Sequence, residues 1–559
     1  MGERVGIGHV FSLGAIQNGV TKHDKESLTE NKEKISMGAF YAIISVRGDD
    51  AVKISDRFYE IAEKVAKNNG RMYLVGGAVR DAQLGKEPHD MDFCVTGLST
   101  EEFMELFDAP RIQGKSFPVF IIDGCEFALA RKERKIGAKH TDFEVQTDKA
   151  ITIEEDLARR DLTINSMAMD VLTGKLVDPF HGLQDLKEKK IRMTTEAYSE
   201  DPLRVYRTAR FAAKFGFDVE EHTLKTMESM REELVNLPNE RVTAEFRKAL
   251  MTEHPSMFFD TLRKANILDV HFPEVANLIG VEQPVLYHPE GDAYVHTLEV
   301  LDRAVQATPS GIRFKGRVSD VSAKLSLQKP SPQKAEASVV QGDNAKHTRF
   351  QLKRLDESHG DKNARDEQRE MIRFCALVHD FGKAATPREE WPHHYNHEEN
   401  GVPIIQEFCK RMNGIPKKFE KAGKLTSMLH MKAGRYDNLK PATKVKIFSE
   451  IEQSRSLSYE GLEIVASCDS KAPVHFAKTA REVMQIKVTP EIKDRCTVDG
   501  VFDYEKAKGI ILQKRIEEVK RLEGKKEKEA PKGIASVGKI TLEEIKRSIE
   551  KEQENEKNK

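Results

Sequence analysis

The sequence predicts an α+β protein, an α/β head followed by an all-helical body. Three observations carry that expectation. The apolar run ending in Leu74-Val75 breaks at Gly76-Gly77 and reopens as Ala78-Val79-Arg80-Asp81, a strand-to-helix turn. Short strand-like runs then follow up to residue 130, and from about 183 to 280 the apolar spacing becomes helical, as in Leu203, Tyr206, Phe211 and Phe215. At 559 residues the chain is long enough for about three or four domains, each with its own core.

Taken in order, residues 1 to about 40 are polar and dotted with glycine, as in an appended arm. Residues 55–66 have the spacing of an amphipathic helix that leads into the glycine turn. Asp90-Met91-Asp92-Phe93-Cys94-Val95 reads as a second strand, whose period of two puts residues 90 and 92 on one face. Val119-Phe120-Ile121-Ile122 and Glu126-Phe127-Ala128-Leu129-Ala130 continue the β pattern, and Phe246, Leu250 and Met257 extend the helical one. Two stretches stand apart. Residues 309–355 hold ten Lys or Arg against three Asp or Glu among Pro, Ser and Gln, an exposed basic insertion. After Gly524 a Lys/Glu tail with a short helical pattern around 540–549 is too poor in apolar residues to build a core.

Composition narrows the partners. Lys+Arg 90 and Asp+Glu 91 nearly cancel, so any basic footprint for nucleic acid must be local; Lys417, Lys418, Lys421 and Lys424 form one such run. The six cysteines contain no Cys-x-x-Cys pair, which fits reduced thiols better than a disulfide framework or a zinc knuckle. No apolar run approaches ~18 residues. A cytoplasmic protein without a membrane partner is expected.

The chemistry concentrates in two places. A glycine pair opening a helix exposes backbone N–H groups that hold phosphate oxygens, and two carboxylates nearby can hold Mg²⁺. Together they suit nucleotidyl transfer, in which metal ions activate the attacking hydroxyl and neutralise the departing pyrophosphate. Either motif alone more often marks an ordinary turn. In Ser199-Glu200-Asp201-Pro202-Leu203-Arg204-Val205-Tyr206-Arg207, Asp201 reads as a helix cap, yet Asp201, Arg204 and Arg207 recur every third residue along one face. A carboxylate accepts from the exocyclic amine of cytosine or adenine, and a guanidinium donates to the ring acceptors, so such a helix selects C and A over U and G.

These motifs, with Ala128-Leu129-Ala130-Arg131-Lys132-Glu133-Arg134-Lys135 and Arg159-Arg160-Asp161-Leu162-Thr163-Ile164-Asn165, closely resemble the bacterial-type (class II) tRNA nucleotidyltransferases, the CCA-adding enzymes. The resemblance runs from about 72 to 305 and resumes from about 370 to 480. It implies a polymerase-β-like nucleotidyltransferase head, a helical neck and body, and tRNA, CTP and ATP as partners. It further implies that Asp90 and Asp92 bind the catalytic Mg²⁺, that Gly77 and Arg80 contact the triphosphate, that Arg160 contacts the incoming nucleotide, and that Asp201, Arg204 and Arg207 read it. From the residues alone, Arg159 and Arg160 read more readily as a buried ion pair with Asp161 than as nucleotide contacts, and Glu133 and Asp161 are both candidates for a third carboxylate.

Tyr294-Val295-His296-Thr297, Ala376-Leu377-Val378-His379-Asp380-Phe381-Gly382-Lys383 and Trp391-Pro392-His393-His394-Tyr395-Asn396-His397 set imidazoles and a carboxylate among helices. His296, His379 and Asp380 resemble the HD phosphohydrolase domain carried by one branch of the CCA-adding enzymes, similar to metal-dependent phosphatases and 2′,3′-cyclic phosphodiesterases. Asp469 stands where a closing ligand is expected, His394, His397 and His430 are further candidates, and His393 reads as a surface residue. The metal implied is a second divalent ion such as Ni²⁺ or Mn²⁺. Tyr395 and Asn396 replace the His and Gly of that branch.

The expected organisation is an N-terminal extension at 1–40, the head at 41–172, the neck and body at 173–285, the HD domain at 286–495 with the insertion at 308–368, and a charged tail at 496–559, as a monomer or a homodimer. The rival readings are a poly(A) polymerase with the same head, a chain that is mainly an HD phosphohydrolase, and a noncatalytic RNA-binding factor. CTP incorporation separates the first of these from CCA addition.

Overall fold

The computed structural model describes residues 41–45, 51–88, 90–107, 111–113, 118–135, 143–146, 148–308 and 359–529. The arm, the basic insertion over 309–355 and the pattern around 540–549 lie outside these residues. The chain divides into two compact units, Met1–Glu188 with Arg192–Glu200, and Lys189–Ile191 with Asp201–Lys559.

The first unit begins with a hairpin of β1 (Tyr41–Ser45) and β2 (Ala51–Ser55), followed by helix α1 (Asp56–Lys67). Its acidic start, Asp56, and basic end, Lys64 and Lys67, suit the helix dipole, and Phe58, Ile61, Ala62 and Val65 form its buried stripe. Next come β3 (Arg71–Val75), helix α2 (Gly77–Gln83), β4 (Asp92–Thr96), helix α3 (Thr100–Leu106), β5 (Arg111–Gln113), β6 (Val119–Ile122) and β7 (Cys125–Leu129). A separate pair, β8 (Lys132–Lys135) and β9 (Phe143–Gln146), precedes helix α4 (Ile153–Ala158), and β10 (Ala168–Asp170) and β11 (Leu176–Val177) complete the main sheet.

That sheet has the order β11-β10-β3-β4-β7-β6-β5, with β4 and β7 parallel and the other neighbours antiparallel. Buried on both faces, its central strands are almost continuously apolar. On one face Phe93 stacks on Phe127 at 4.8 Å and meets Phe58 at 4.9 Å. On the other, Tyr73, Val75 and Cys94 pack against Leu157 of α4. Alternation therefore sends Asp92 and Cys94 to the α4 side and Phe93 to the α1 side.

One expectation needs correcting here. The strand starts at Asp92, and Asp90 lies in a bend before it, so strand periodicity does not align the two. Asp92 pairs with Val75, the last residue of β3, and at Gly76 that partner turns into a helix. On the β3 side residues 90 and 91 therefore have no strand to pair with.

In the second unit the main helices are α5 (Leu203–Phe215), α6 (Asn239–Leu250), α7 (Ser256–Lys264), α8 (Ala293–Ala307), α9 (His359–Val378), α10 (His397–Met412), α11 (Lys417–Gly434) and α12 (Tyr459–Ser470). Phe246, Phe258, Phe259 and Phe272 form an aromatic core, which Phe408 of α10 joins at 6.1 Å from Phe246. Buried Arg373 of α9 donates to the carbonyls of Leu250, Thr252 and Thr308, where α6 and α8 end. Such terminal carbonyls have no partner within their own helix. Arg247 pairs with Glu370 nearby. A helix, Tyr504–Glu529, runs through the start of the charged tail.

Candidate functional site

The glycine turn in the first unit is shaped by two arginines. Gly76 has φ +66°, a left-handed conformation that glycine adopts freely, and a Cβ there would lie 2.9 Å from Arg160 Nη1. At Gly77 a Cβ would meet Arg80 Nη2 at 3.5 Å, so one guanidinium lies against each glycine. Arg80 is buried and donates to Asp81 Oδ1 and to Asn165 Oδ1. Arg160 rests on Asp156, whose carboxylate, 1% exposed, takes Arg159 Nη2 on Oδ1 at 2.6 Å and Arg160 Nη2 on Oδ2 at 3.1 Å. Burial works against the charge on Asp156, and the two guanidinia overcome it, holding its carboxyl below the usual range. The acid between the two arginines is thus Asp156, one turn upstream. Asp161 accepts from Leu162 N and Asn165 Nδ2.

Beside this turn stand the acids. Asp92 is opposite Glu126 in the parallel β4–β7 pair, so both side chains share a face. Partial burial first, then Glu126 and Asp90, raise the Asp92 carboxyl above its usual range, with Arg160 opposing. Asp92 thus senses two other carboxylates and an arginine, and carboxylate oxygens are the hard donors that Mg²⁺ takes. Glu126 is the acid that sequence reasoning missed. It was one residue of a run read only as a strand, and the sheet order makes it Asp92's neighbour. Of the two sequence candidates for a third carboxylate, Asp161 has the contacts just given, and the side chain of Glu133 lies outside the described residues.

In the second unit, Asp201 Oδ1 accepts from Leu203 N at the start of α5, and Asp201 Oδ2 lies 3.5 Å from Arg241 Nη2. The cap position expected of Asp201 is taken by Pro202, and Asp201, one residue earlier, closes the turn into α5 through Leu203 N and leaves its other carboxylate oxygen toward Arg241. Arg204 is buried, and Arg207 lies over the Phe211 ring at 5.7 Å.

The HD segments converge in the same unit. Asp292 caps α8 by accepting from Tyr294 N and Val295 N, which fixes His296 one turn in. His379 and Asp380 follow α9, His397 opens α10, and His430 and Asp469 lie near the ends of α11 and α12. Gly382 lets the turn after Asp380 press on α10, since a Cβ there would lie 1.9 Å from the His397 carbonyl oxygen.

One group comprises His296, His379, Asp380 and Asp469, a second Asp380, His397 and His430, and a third, behind His296, comprises His288, Glu290 and His296. Asp380 Oδ2 lies 3.1 Å from His379 Nε2 and 3.6 Å from His296 Nε2, while Oδ1 lies 3.5 Å from His397 Nε2 and 3.4 Å from His430 Nε2. Each Nδ1 is engaged from behind: His379 by the Ala376 carbonyl, His397 by that of His394, His430 by that of Ser427, and His296 by Glu290. Carbonyls and carboxylates only accept, so each Nδ1 carries a proton and each Nε2 points inward at Asp380 or Asp469.

His379 Nε2 and both Asp380 oxygens are buried without a hydrogen-bond partner, although Lys383 Nζ forms an ion pair with Asp380 at 2.6 Å. Burial opposes a charge on His379, yet Asp380 and Asp469 push its pKa up to about 10. Buried, convergent imidazole and carboxylate donors that favour positive charge fit a divalent metal ion. His394 is different, as its Nδ1 meets Thr386 Oγ1 and its Nε2 the Glu282 carbonyl. His393 and Tyr395 are exposed, and Asn396, at φ +58°, occupies a left-handed position that explains the Gly expected there.

Comparison with known proteins follows this division. Residues 72–192 match the family model described as the Poly A polymerase head domain, 216–279 that of a probable RNA and SrmB-binding site of polymerase A, and 346–448 the HD domain. The Multifunctional CCA protein of Shewanella frigidimarina (strain NCIMB 400) is 38% identical over 387 residues, 68% of this chain and 78% of that protein. The chain belongs to the multifunctional CCA protein family. The family member from Vibrio campbellii (strain ATCC BAA-1116) is 38% identical over 405 residues, 71% of this chain and 84% of that one. A solved CCA-adding enzyme, apo form II, shares the fold with a TM-score of 0.50 at 18% identity, covering 84% of this chain and 95% of its own. The nucleotidyltransferase head, helical body and HD domain expected from the sequence are thus those of the family. Heads and HD domains of this kind generally depend on divalent metals, and no helix among the described residues is long and apolar enough to cross a membrane.

Proposed function

We propose that this chain adds C, C and A without a template to the 3′ end of tRNA, taking CTP and ATP and releasing pyrophosphate. The observation that carries this reading is the convergence of Asp92, Glu126 and Arg160 on a glycine turn that is itself pressed by Arg80 and Arg160, in a member of the multifunctional CCA family.

Asp90 and Asp92, with Glu126 beside them, would hold Mg²⁺, which when bound lowers the pKa of the attacking hydroxyl and neutralises charge on the leaving group. Arg80, Arg160 and the opening amides of α2 at Gly77 bind the triphosphate and offset the negative charge that grows as the tRNA 3′-oxygen bonds the α-phosphorus and the bond to pyrophosphate breaks. Asp201 accepts from the exocyclic amine of C or A, Arg204 donates to the ring, and Arg207 faces the phosphates. Positioning supplies most of the rate, since no covalent enzyme intermediate is needed.

At the HD centre, His296, His379, Asp380 and Asp469 would hold a divalent ion such as Ni²⁺ or Mn²⁺, and the Asp380–His397–His430 face offers a second position. A bound metal there supplies an activated water for hydrolysis of phosphomonoesters and 2′,3′-cyclic phosphates. tRNA, CTP and ATP in the cytoplasm are the partners of this reading.

The test is incubation with tRNA transcripts lacking CCA, ending in C, or ending in CC, with each of the four nucleoside triphosphates supplied singly. Two C additions and then one A, with UTP and GTP refused, are expected. Unlimited A addition from ATP alone would replace this reading with poly(A) polymerisation.

A further inference from the structure

The loop before α8 carries a buried acid that neither site uses directly. The Glu290 side chain is 3% exposed. It stands in a turn closed by Gly291 N donating to the His288 carbonyl and by Gln283 N donating to the Gly291 carbonyl, so the backbone rather than the metal centre sets its place. Its two oxygens are used for different purposes. Oε1 accepts from His296 Nδ1 at 2.6 Å, with His288 Nδ1 3.4 Å from the same oxygen, and Oε2 pairs with Lys471 Nζ. Lys471 is the left-handed residue that ends α12, two residues beyond Asp469. The same carboxylate therefore grips the helix that presents His296 and the end of the helix that presents Asp469, whose Oδ1 lies 3.0 Å from His296 Nε2.

We propose, resting on the metal-centre reading above, that Glu290 is a positioning residue of the HD centre: with Lys471 it fixes the tautomer and aim of His296 and the spacing between His296 and Asp469, and so sets the metal affinity of that pair. The chemistry favours this role over mere stabilisation. A buried carboxylate paired with a partly exposed lysine adds little net stability, because desolvation offsets the attraction. Behind a metal-binding imidazole the same carboxylate raises the basicity of Nε2 and removes the alternative tautomer, and loss of such partners typically weakens metal binding about 10–100-fold. The three other inward-facing histidines use main-chain carbonyls for this purpose. His296 alone among the four is held by a side chain, which makes it the one whose environment a single substitution can change.

The experiment is Ni²⁺ binding to the full chain, read by competition with a chromophoric chelator, where the equivalent lost in His379→Ala defines the HD centre. Glu290→Gln keeps the side chain's shape and removes its charge. Per folded molecule it is expected to bind that equivalent about 10–100-fold more weakly, with a lowered melting midpoint from the broken pair with Lys471 and unchanged CCA addition below the melting range. Lys471→Gln, a partly exposed position that tolerates change, is expected to weaken binding in the same direction by a smaller factor, and it keeps the test open if Glu290→Gln fails to fold. Parental affinity per folded molecule in both variants overturns the proposal, as does parental affinity in Lys471→Gln if Glu290→Gln fails to fold. A parent chain with no Ni²⁺ equivalent sensitive to His379→Ala overturns the metal-centre reading itself, a different result from parental affinity in the variants.

Discussion

Replacing the two glycines of the head separates what the backbone demands from what the triphosphate demands. Gly76 has φ +66° and ψ −123°, a region that costs other residues about 1–3 kcal/mol, and a methyl there would meet Arg160 Nη1 at 2.9 Å. Gly76→Ala should therefore destabilise the head by about that amount, which at roughly 2–4 °C per kcal/mol for a domain of this size lowers its melting midpoint by roughly 2–12 °C. Gly77 sits in the first turn of α2, and its methyl would meet Arg80 Nη2 at an ordinary 3.5 Å. Gly77→Ala should leave melting unchanged or raise it slightly, since alanine restricts the unfolded chain. Both methyls crowd the place assigned to phosphate oxygens. Each substitution should lower kcat/KM for CTP and for ATP about tenfold or more, a change of ~1.4 kcal/mol per decade. The assay pairs thermal melting with single-nucleotide addition to tRNA ending in C or in CC. Parental kcat/KM in Gly77→Ala would refute the triphosphate cradle, and parental melting in Gly76→Ala would refute the backbone argument.

Asp156→Asn should cost the head about 3 kcal/mol, the lower end for breaking a buried pair because Arg159 and Arg160 are 17% and 20% exposed. Since the folded Asp156 carboxyl lies below its unfolded value of about 3.9, its contribution is complete above that pH and lost as the pH falls through the folded value. Acid titration of melting should thus show a shallower low-pH limb in the variant than in the parent. Asp201→Asn should relax base choice rather than abolish transfer, changing the CTP-to-UTP ratio of kcat/KM by roughly 5- to 150-fold, the equivalent of ~1–3 kcal/mol for one unpaired polar group; an unchanged ratio would remove Asp201 from the reading surface. Asp92→Asn should stop nucleotide addition while leaving HD phosphohydrolase activity at its parental level, measured on a 2′,3′-cyclic nucleotide, and a chelator should stop both.

The parts legible in the sequence were those written in contiguous residues. The glycine turn, the amphipathic helix now seen as Asp56–Lys67 and the Val119–Ile122 strand are local features, and local rules recover them. Glu126 was hidden because its meaning depends on β7 lying parallel to β4, a pairing across more than thirty residues that periodicity does not report. Asp156 was hidden for the opposite reason: Asp161 is adjacent to the arginines in sequence, but a helical turn brings the residues three and four positions earlier to the same side. Alternation alone places Asp90 in a strand, but the strand starts only at Asp92, opposite the last residue of β3. The His-Asp pair stood out, whereas Glu290 is an ordinary acid in a loop until the fold sets Lys471 against it.

Arg373 has a consequence for how this chain can be divided. One guanidinium closes the carbonyl ends of a helix from the body and a helix from the HD region at once. Cutting the chain before α8 would strip two acceptors, the Leu250 and Thr252 carbonyls, of their donor and expose the aromatic core that Phe408 covers. Mutational decay of the hydrolase is accordingly easier through its ligands than through deletion of its helices, because the helices shore up the neighbouring nucleotide-selecting region whether or not they still hydrolyse anything.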